Sequence, residues 1–91
     1  MTVRLICRIS PGQFSGEFAV KGEMFNAKEF SLFAPKKFLE FDEELVKKGK
    51  TVEGSISVTK LQAKDDLVLV TLPQPTFENG QTITVKASQV K

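Results

Sequence analysis

Apolar residues recur at every second position in this chain, in short runs cut by turn-forming residues, and that period constrains the fold more than any other feature. Successive side chains of a strand point to opposite faces, so each run can bury one side against a core. In Val3–Ser10, Val3, Leu5, Cys7 and Ile9 share one face, and Arg4, Ile6 and Arg8 take the other. Pro11-Gly12 stops the run, because proline lacks a ladder donor and glycine permits a turn. Gly16–Lys21 resumes it with Phe18 and Val20 inward and Glu17 and Lys21 outward. A loop over Gly22–Ala27 leads to Lys28–Ala34, where Phe30 and Leu32 share a face and Phe33 falls on the opposite one before Pro35 closes the strand.

The second half repeats the pattern. In Thr51–Leu61, Val52, Gly54, Ile56 and Val58 alternate with Thr51, Glu53, Ser55, Ser57 and Thr59, and Gly54 marks a bulge or a close backbone approach. Ala63-Lys64-Asp65-Asp66 reads as a hairpin turn into Leu67–Leu72, which is apolar on both faces and therefore central in a sheet. Pro73 and Pro75 end that strand, and Asn79-Gly80 is the strongest turn signal in the chain. Thr82–Lys86 follows with Ile83 and Val85 inward, then a tight turn at Ala87-Ser88-Gln89 before Val90.

One stretch breaks the period. Phe38, Phe41 and Leu45 recur at helical spacing, and Asp42 is a good N-cap for a short helix over Glu43–Lys48. Glu43 and Glu44 suit its positive end and Lys47 and Lys48 its negative end. The pairs Glu43–Lys47 and Glu44–Lys48 each add about 0.2–0.5 kcal/mol in an isolated helix. Gly49 supplies the stop. So short a helix must pack Leu45 and Val46 on the sheet to survive.

Six short strands and one brief helix in 91 residues predict a single all-β domain, mostly antiparallel, curled into a small barrel or roll over residues 1–91. Curling hides edges that a flat sheet of this size leaves open. The ending, a strand, then Ala87-Ser88-Gln89, then Val90, resembles the last strand, short turn and final strand of Src-homology-type barrels. The oligonucleotide/oligosaccharide-binding (OB) barrel is the rival, since it places a helix between its third and fourth strands, where Glu43–Lys48 falls. Both remain open at this level.

Composition excludes several chemistries. There is no His and only one Cys, so Ser–His–Asp and Cys–His catalysis and structural zinc sites lack their residues. Glu40, Asp42, Glu43 and Glu44 cluster, but their spacing lacks the calcium-loop pattern and fits a capped helix start. Asp65-Asp66 is accounted for as a turn tip. Gly12, Gly16 and Gly22 form no phosphate loop, because no Lys-Ser/Thr and no helix follow. Cys7, in phase with Leu5 and Ile9, reads as packing. No enzyme, cofactor or metal is expected. The lone thiol demands no oxidising compartment, and no apolar run approaches a membrane span, so the cytoplasm is the expected location and no membrane partner is expected.

Binding is the expectation that survives. The chain carries eight Phe and neither Trp nor Tyr. Phe18, Phe30, Phe38 and Phe41 fit a core, while Phe14, Phe25 and Phe77 fall in loops and Phe33 is out of phase. Arg4, Ile6, Arg8, Phe25, Phe33, Lys36 and Lys37 are the candidate interaction surface, an apolar patch with cationic edges. The expected partner is another protein, met through a barrel face or an edge strand, with self-association through the first or last strand a related option. Single-stranded nucleic acid is the alternative. Thirteen Lys+Arg face eleven Asp+Glu, and acids are interspersed among Lys36, Lys37, Lys47, Lys48, Lys50, Lys60 and Lys64, which places that alternative second.

Overall fold

The alternating runs become strands at almost every position expected of them. The computed structural model of the chain describes residues 1–78 and 80–91, so Asn79 of the Asn79-Gly80 turn lies outside the described residues. Among the described residues, seven strands and one helix follow in order: β1 (Thr2–Pro11), β2 (Glu17–Glu23), β3 (Glu29–Pro35), β4 (Leu39–Glu40), α1 (Glu43–Lys47), β5 (Val52–Lys64), β6 (Leu67–Thr76) and β7 (Gly80–Lys86). Single 3₁₀ turns occupy Lys36–Phe38 and Ala87–Gln89. All strands pair antiparallel in the order β3-β2-β1-β5-β6-β7, with β4 lying on β5.

The sheet curls into a half-barrel around one inner face. Leu5, Cys7 and Ile9 of β1, Val20 of β2, Phe30 and Leu32 of β3, Ile56 and Val58 of β5, Val68, Val70 and Leu72 of β6, and Ile83 and Val85 of β7 are all buried there. Each such Leu, Ile, Val or Phe contributes about 1.5–3 kcal/mol against the entropy of ordering the chain. Phe30 is fully buried, whereas Phe18, Phe38 and Phe41 pack against the core half-exposed, with Phe18 and Phe41 edge to face at 4.9 Å.

Local contacts finish the curl at its two edges. The β3 edge receives the β6–β7 turn, where Phe77 N–H donates to the Ser31 carbonyl at 2.9 Å. The β7 edge receives the β2–β3 turn, where Phe25 N–H donates to the Thr84 carbonyl at 3.0 Å. After the Ala87–Gln89 turn, Val90 bridges back to Leu5 of β1. The helix follows β4, the strand after it returns to β1, and the chain end also meets β1 after a 3₁₀ turn.

Several expectations need correction. Pro73 and Pro75 do not end β6, which continues to Thr76. Its pairing with β5 stops at Thr71, and its pairing with β7 skips from Thr71 to Thr76, so both prolines sit where no ladder donor is required. Gly22 and Glu23 belong to β2, not to a loop. The two-residue β4 was unpredicted because a run that short carries no period. The first strand is no edge: β1 pairs with β2 on one side and β5 on the other. Gly54 marks the close approach and not the bulge, which lies between Lys60 and Gln62.

The helix also differs in detail. Asp42 caps it as expected, accepting from Glu44 N–H and Leu45 N–H, and Gly49 ends it at φ +86°. Only Val46 packs on the sheet, at 2% exposure against 36% for Leu45. Glu43 pairs across the loop with Lys36 at 2.6 Å, which holds its carboxyl below the usual range.

Candidate interaction cleft

An opening in the surface lies where β1 runs beyond its pairing with β2. Against β5, β1 is paired from Thr2 to Ile9; against β2 the register runs only from Arg8 to Pro11. From Cys7 towards the N-terminus the two strands fork. The chain end fills the far part of the fork, with Val90 on Leu5 and Lys91 N–H donating to the Arg4 carbonyl at 2.8 Å. What remains is a cleft of about 430 Å³ lined by Ile6, Cys7 and Arg8, by Gly22 and Glu23, by Thr51–Glu53 of the neighbouring strand entry, and by Ser88 and Gln89.

Gln89 fixes one corner. Its side-chain amide donates to the Glu23 carbonyl at 2.7 Å and accepts from Lys86 N–H at 2.8 Å. The 3₁₀ turn is thereby tied to the last residue of β2, and the fork keeps its width. Arg8 faces outward opposite Glu53 in the β1–β5 ladder, and its guanidinium pairs with Glu29 at 2.9 Å. Cys7 sits beneath them, 3% exposed. Burial pushes its thiol up to about 12, outweighing the smaller opposing pull of Arg4, Arg8 and Lys91. It therefore stays protonated at neutral pH and is a poor nucleophile.

The candidate surface read from the sequence does not form one patch. Ile6 and Arg8 meet in the cleft. Arg4 lies on the same face of β1, but its guanidinium is committed inside the molecule, to Ser55 Oγ at 3.1 Å, the Ser55 carbonyl at 3.0 Å and the Phe38 carbonyl at 3.5 Å. Phe25 sits in the β2–β3 turn against β7, partly exposed. Phe33, on the outer face of β3, meets the exposed Phe77 ring edge to face at 5.5 Å. Lys36 is paired with Glu43, and Lys37 lies over the Phe38 ring at 5.2 Å.

Sequence reasoning missed Glu23, Ser88 and Gln89 as cleft residues. Alternation does place Glu53 on the outer face, yet nothing local reveals that β5 is the strand beside β1. Among the described residues no three His, Cys, Asp or Glu side chains are grouped so as to hold a metal ion, and no helix is long and apolar enough to cross a membrane.

No protein-family model, curated protein or solved structure matches this chain.

Proposed function

We propose that this chain is a small non-catalytic β-barrel module of the cytoplasm that docks on a protein partner through the cleft between β1 and β2. One observation carries the reading: a recess of about 430 Å³ with apolar walls at Ile6 and Val52 and charged groups at its rim. That size and that lining suit recognition of a ligand or of a short stretch of another chain. The pairing of β1 is interrupted within it at Ile6 and Cys7, between the register with β2 and the chain end on Leu5, so a partner segment can meet the backbone there. The chemistry of the lining favours binding over catalysis. Its thiol is buried and protonated, and the chain has no His to activate a hydroxyl.

The nucleic-acid alternative draws less support. Two of the lysines it would use, Lys36 and Lys37, are engaged with Glu43 and Phe38.

The test compares the wild type with a cleft-filling Ser88→Phe variant by chemical cross-linking in native lysate, with partners identified by mass spectrometry. A protein that cross-links to the wild type and is lost with the variant, at unchanged thermal stability, supports docking through the cleft. An unchanged cross-linking pattern overturns it. Fluorescence anisotropy with random single-stranded oligonucleotides at low and high salt provides the second arm. Binding that weakens steeply as salt rises moves the assignment to nucleic acid.

A further inference from the structure

The β2–β3 hairpin is joined to the rest of the sheet less firmly than its two strands are joined to each other. β2 lies against β3 along its whole length, Glu17 to Glu23, and β1 lies against β5 from Thr2 to Ile9. Between these two units, β1 meets β2 only from Arg8 to Pro11. The backbone groups of Ser31 point away from β2, since Phe77 and Glu78 engage both of them. Alternation then turns Lys21 and Ala19, which stand opposite Ser31 and Phe33, towards β1, so these two residues carry the backbone bonds of that short seam. Part of the hairpin's apolar surface is covered from within. The Phe30 ring lies over Gly22, its partner across the ladder, where a Cβ would come within 2.6 Å of it.

The far edge of the hairpin has no strand beside it. β3 and β7 end the sheet, and among the described residues no ladder joins them. Turns bridge the gap. Glu78 accepts from Ser31 N–H at 2.8 Å and from Ser31 Oγ at 2.6 Å, Phe77 N–H donates to the Ser31 carbonyl, and the Phe77 ring meets Phe33. In return Phe25 N–H donates to the Thr84 carbonyl, and the Glu23 carbonyl accepts from Gln89. The ion pair Arg8–Glu29 and the ring pair Phe18–Phe41 complete the polar and aromatic ties to the body of the sheet.

We infer that the β2–β3 hairpin opens as a unit along its seam with β1, and that the contact of Glu78 with Ser31 is the latch that holds it closed. Supersecondary units with short connecting ladders open at a lower free energy than the whole domain. Opening uncovers Val20, Phe30 and Leu32 on the inner face, which keeps the open state rare. The hairpin also forms one wall of the cleft, through Gly22 and Glu23. Its opening therefore widens the cleft, a consequence for docking that rests on the reading above, whereas the motion itself does not.

Native-state hydrogen exchange, followed by NMR at low urea concentrations, tests this with the free protein. In the wild type the Ala19 and Lys21 amides are expected to exchange faster than those of Leu5 and Ile56, and with little dependence on urea, the mark of a local opening that exposes little surface. Glu78→Ala should speed exchange at Ala19 and Lys21 about fivefold, the weight of one exposed charge-assisted contact. Arg4→Met loosens the body of the sheet and leaves every tie of the hairpin in place, so it should speed Ile56 and leave Ala19 and Lys21 unchanged. If Ala19 and Lys21 share the urea dependence of Ile56, or respond to Arg4→Met as Ile56 does, the hairpin opens only with the whole domain and the proposal is overturned. Unchanged exchange at Ala19 and Lys21 in Glu78→Ala overturns the latch. Docking is decided separately by the Ser88→Phe cross-linking, which requires no opening of the hairpin.

Discussion

Glu78 takes the place of a neighbouring strand for Ser31. Its carboxylate accepts from Ser31 N–H at 2.8 Å and from Ser31 Oγ at 2.6 Å, while the adjacent Phe77 N–H donates to the Ser31 carbonyl. Both backbone groups of one β3 edge residue are thus satisfied by a turn, and the edge is blunted against pairing with another chain at that point.

Replacing Glu78 with Ala removes both bonds to Ser31. The site is exposed, so the loss is expected to be about 1 kcal/mol, measured by urea unfolding. The bonds from Ser31 hold the Glu78 carboxyl below its ordinary value of 4.5. A lowered carboxyl binds fewer protons folded than unfolded, so its stabilisation is present above 4.5 and lost as pH falls through the folded value. The wild type should lose more stability on acidification across this window than Glu78→Gln. Equal losses would show that the Ser31 contact contributes nothing.

Arg4 should behave as a structural clip. It crosses Ser55, which is only 2% exposed, to reach the Phe38 carbonyl next to β4. Arg4→Met keeps the stem and removes the donors, leaving the Ser55 hydroxyl without its guanidinium partner, at an expected cost of about 1–3 kcal/mol. Lysine should not rescue it, since one ammonium cannot serve the hydroxyl and two carbonyls in this fork-like arrangement. Hydrogen exchange at Leu39 and Glu40 reads the loosening of β4 directly.

Cys7 should resist thiol reagents in the folded protein. Its raised pKa also predicts a loss of stability in alkali. The folded thiol keeps its proton to about 12 while the unfolded thiol loses it near 9.0, so stability falls as pH rises between those values. Cys7→Val removes this component, and the difference between the two unfolding profiles isolates it. Labelling faster than global unfolding would contradict the buried assignment.

At Gly54 a side chain has no room. A Cβ there would lie 2.8 Å from Ile9 Cδ1 and 2.9 Å from Phe41 Cβ, and would also collide with the Glu40 carbonyl. Gly54→Ala is expected to cost about 1–3 kcal/mol, the range of overpacked cores, seen as a lowered melting temperature. An unchanged melting temperature would mean that β4 can move away at no cost.

The period-2 pattern by itself determined the strands, their inward faces and the all-β class, because burial on one side of a pleated ribbon is written in local alternation. Leu5-Cys7-Ile9 and Ile83-Val85 are inward as read, and the capped turn after Asp42 was equally local. Which strand lies beside which was decided only by the tertiary structure, since cross-strand partners are distant in sequence. Arg8 acquires Glu53 and Glu29 as neighbours through pairings that no local signal specifies, and Gln89 reaches Glu23 only once the chain end has returned to β1. The prolines of β6 and the two-residue β4 escaped the pattern for the same reason: whether proline ends a strand, or two residues make one, depends on which hydrogen bonds the rest of the sheet requires. The candidate cleft is a product of that assembly. It forms where β1 outruns its pairing with β2, a mismatch in length between two strands that each look ordinary alone.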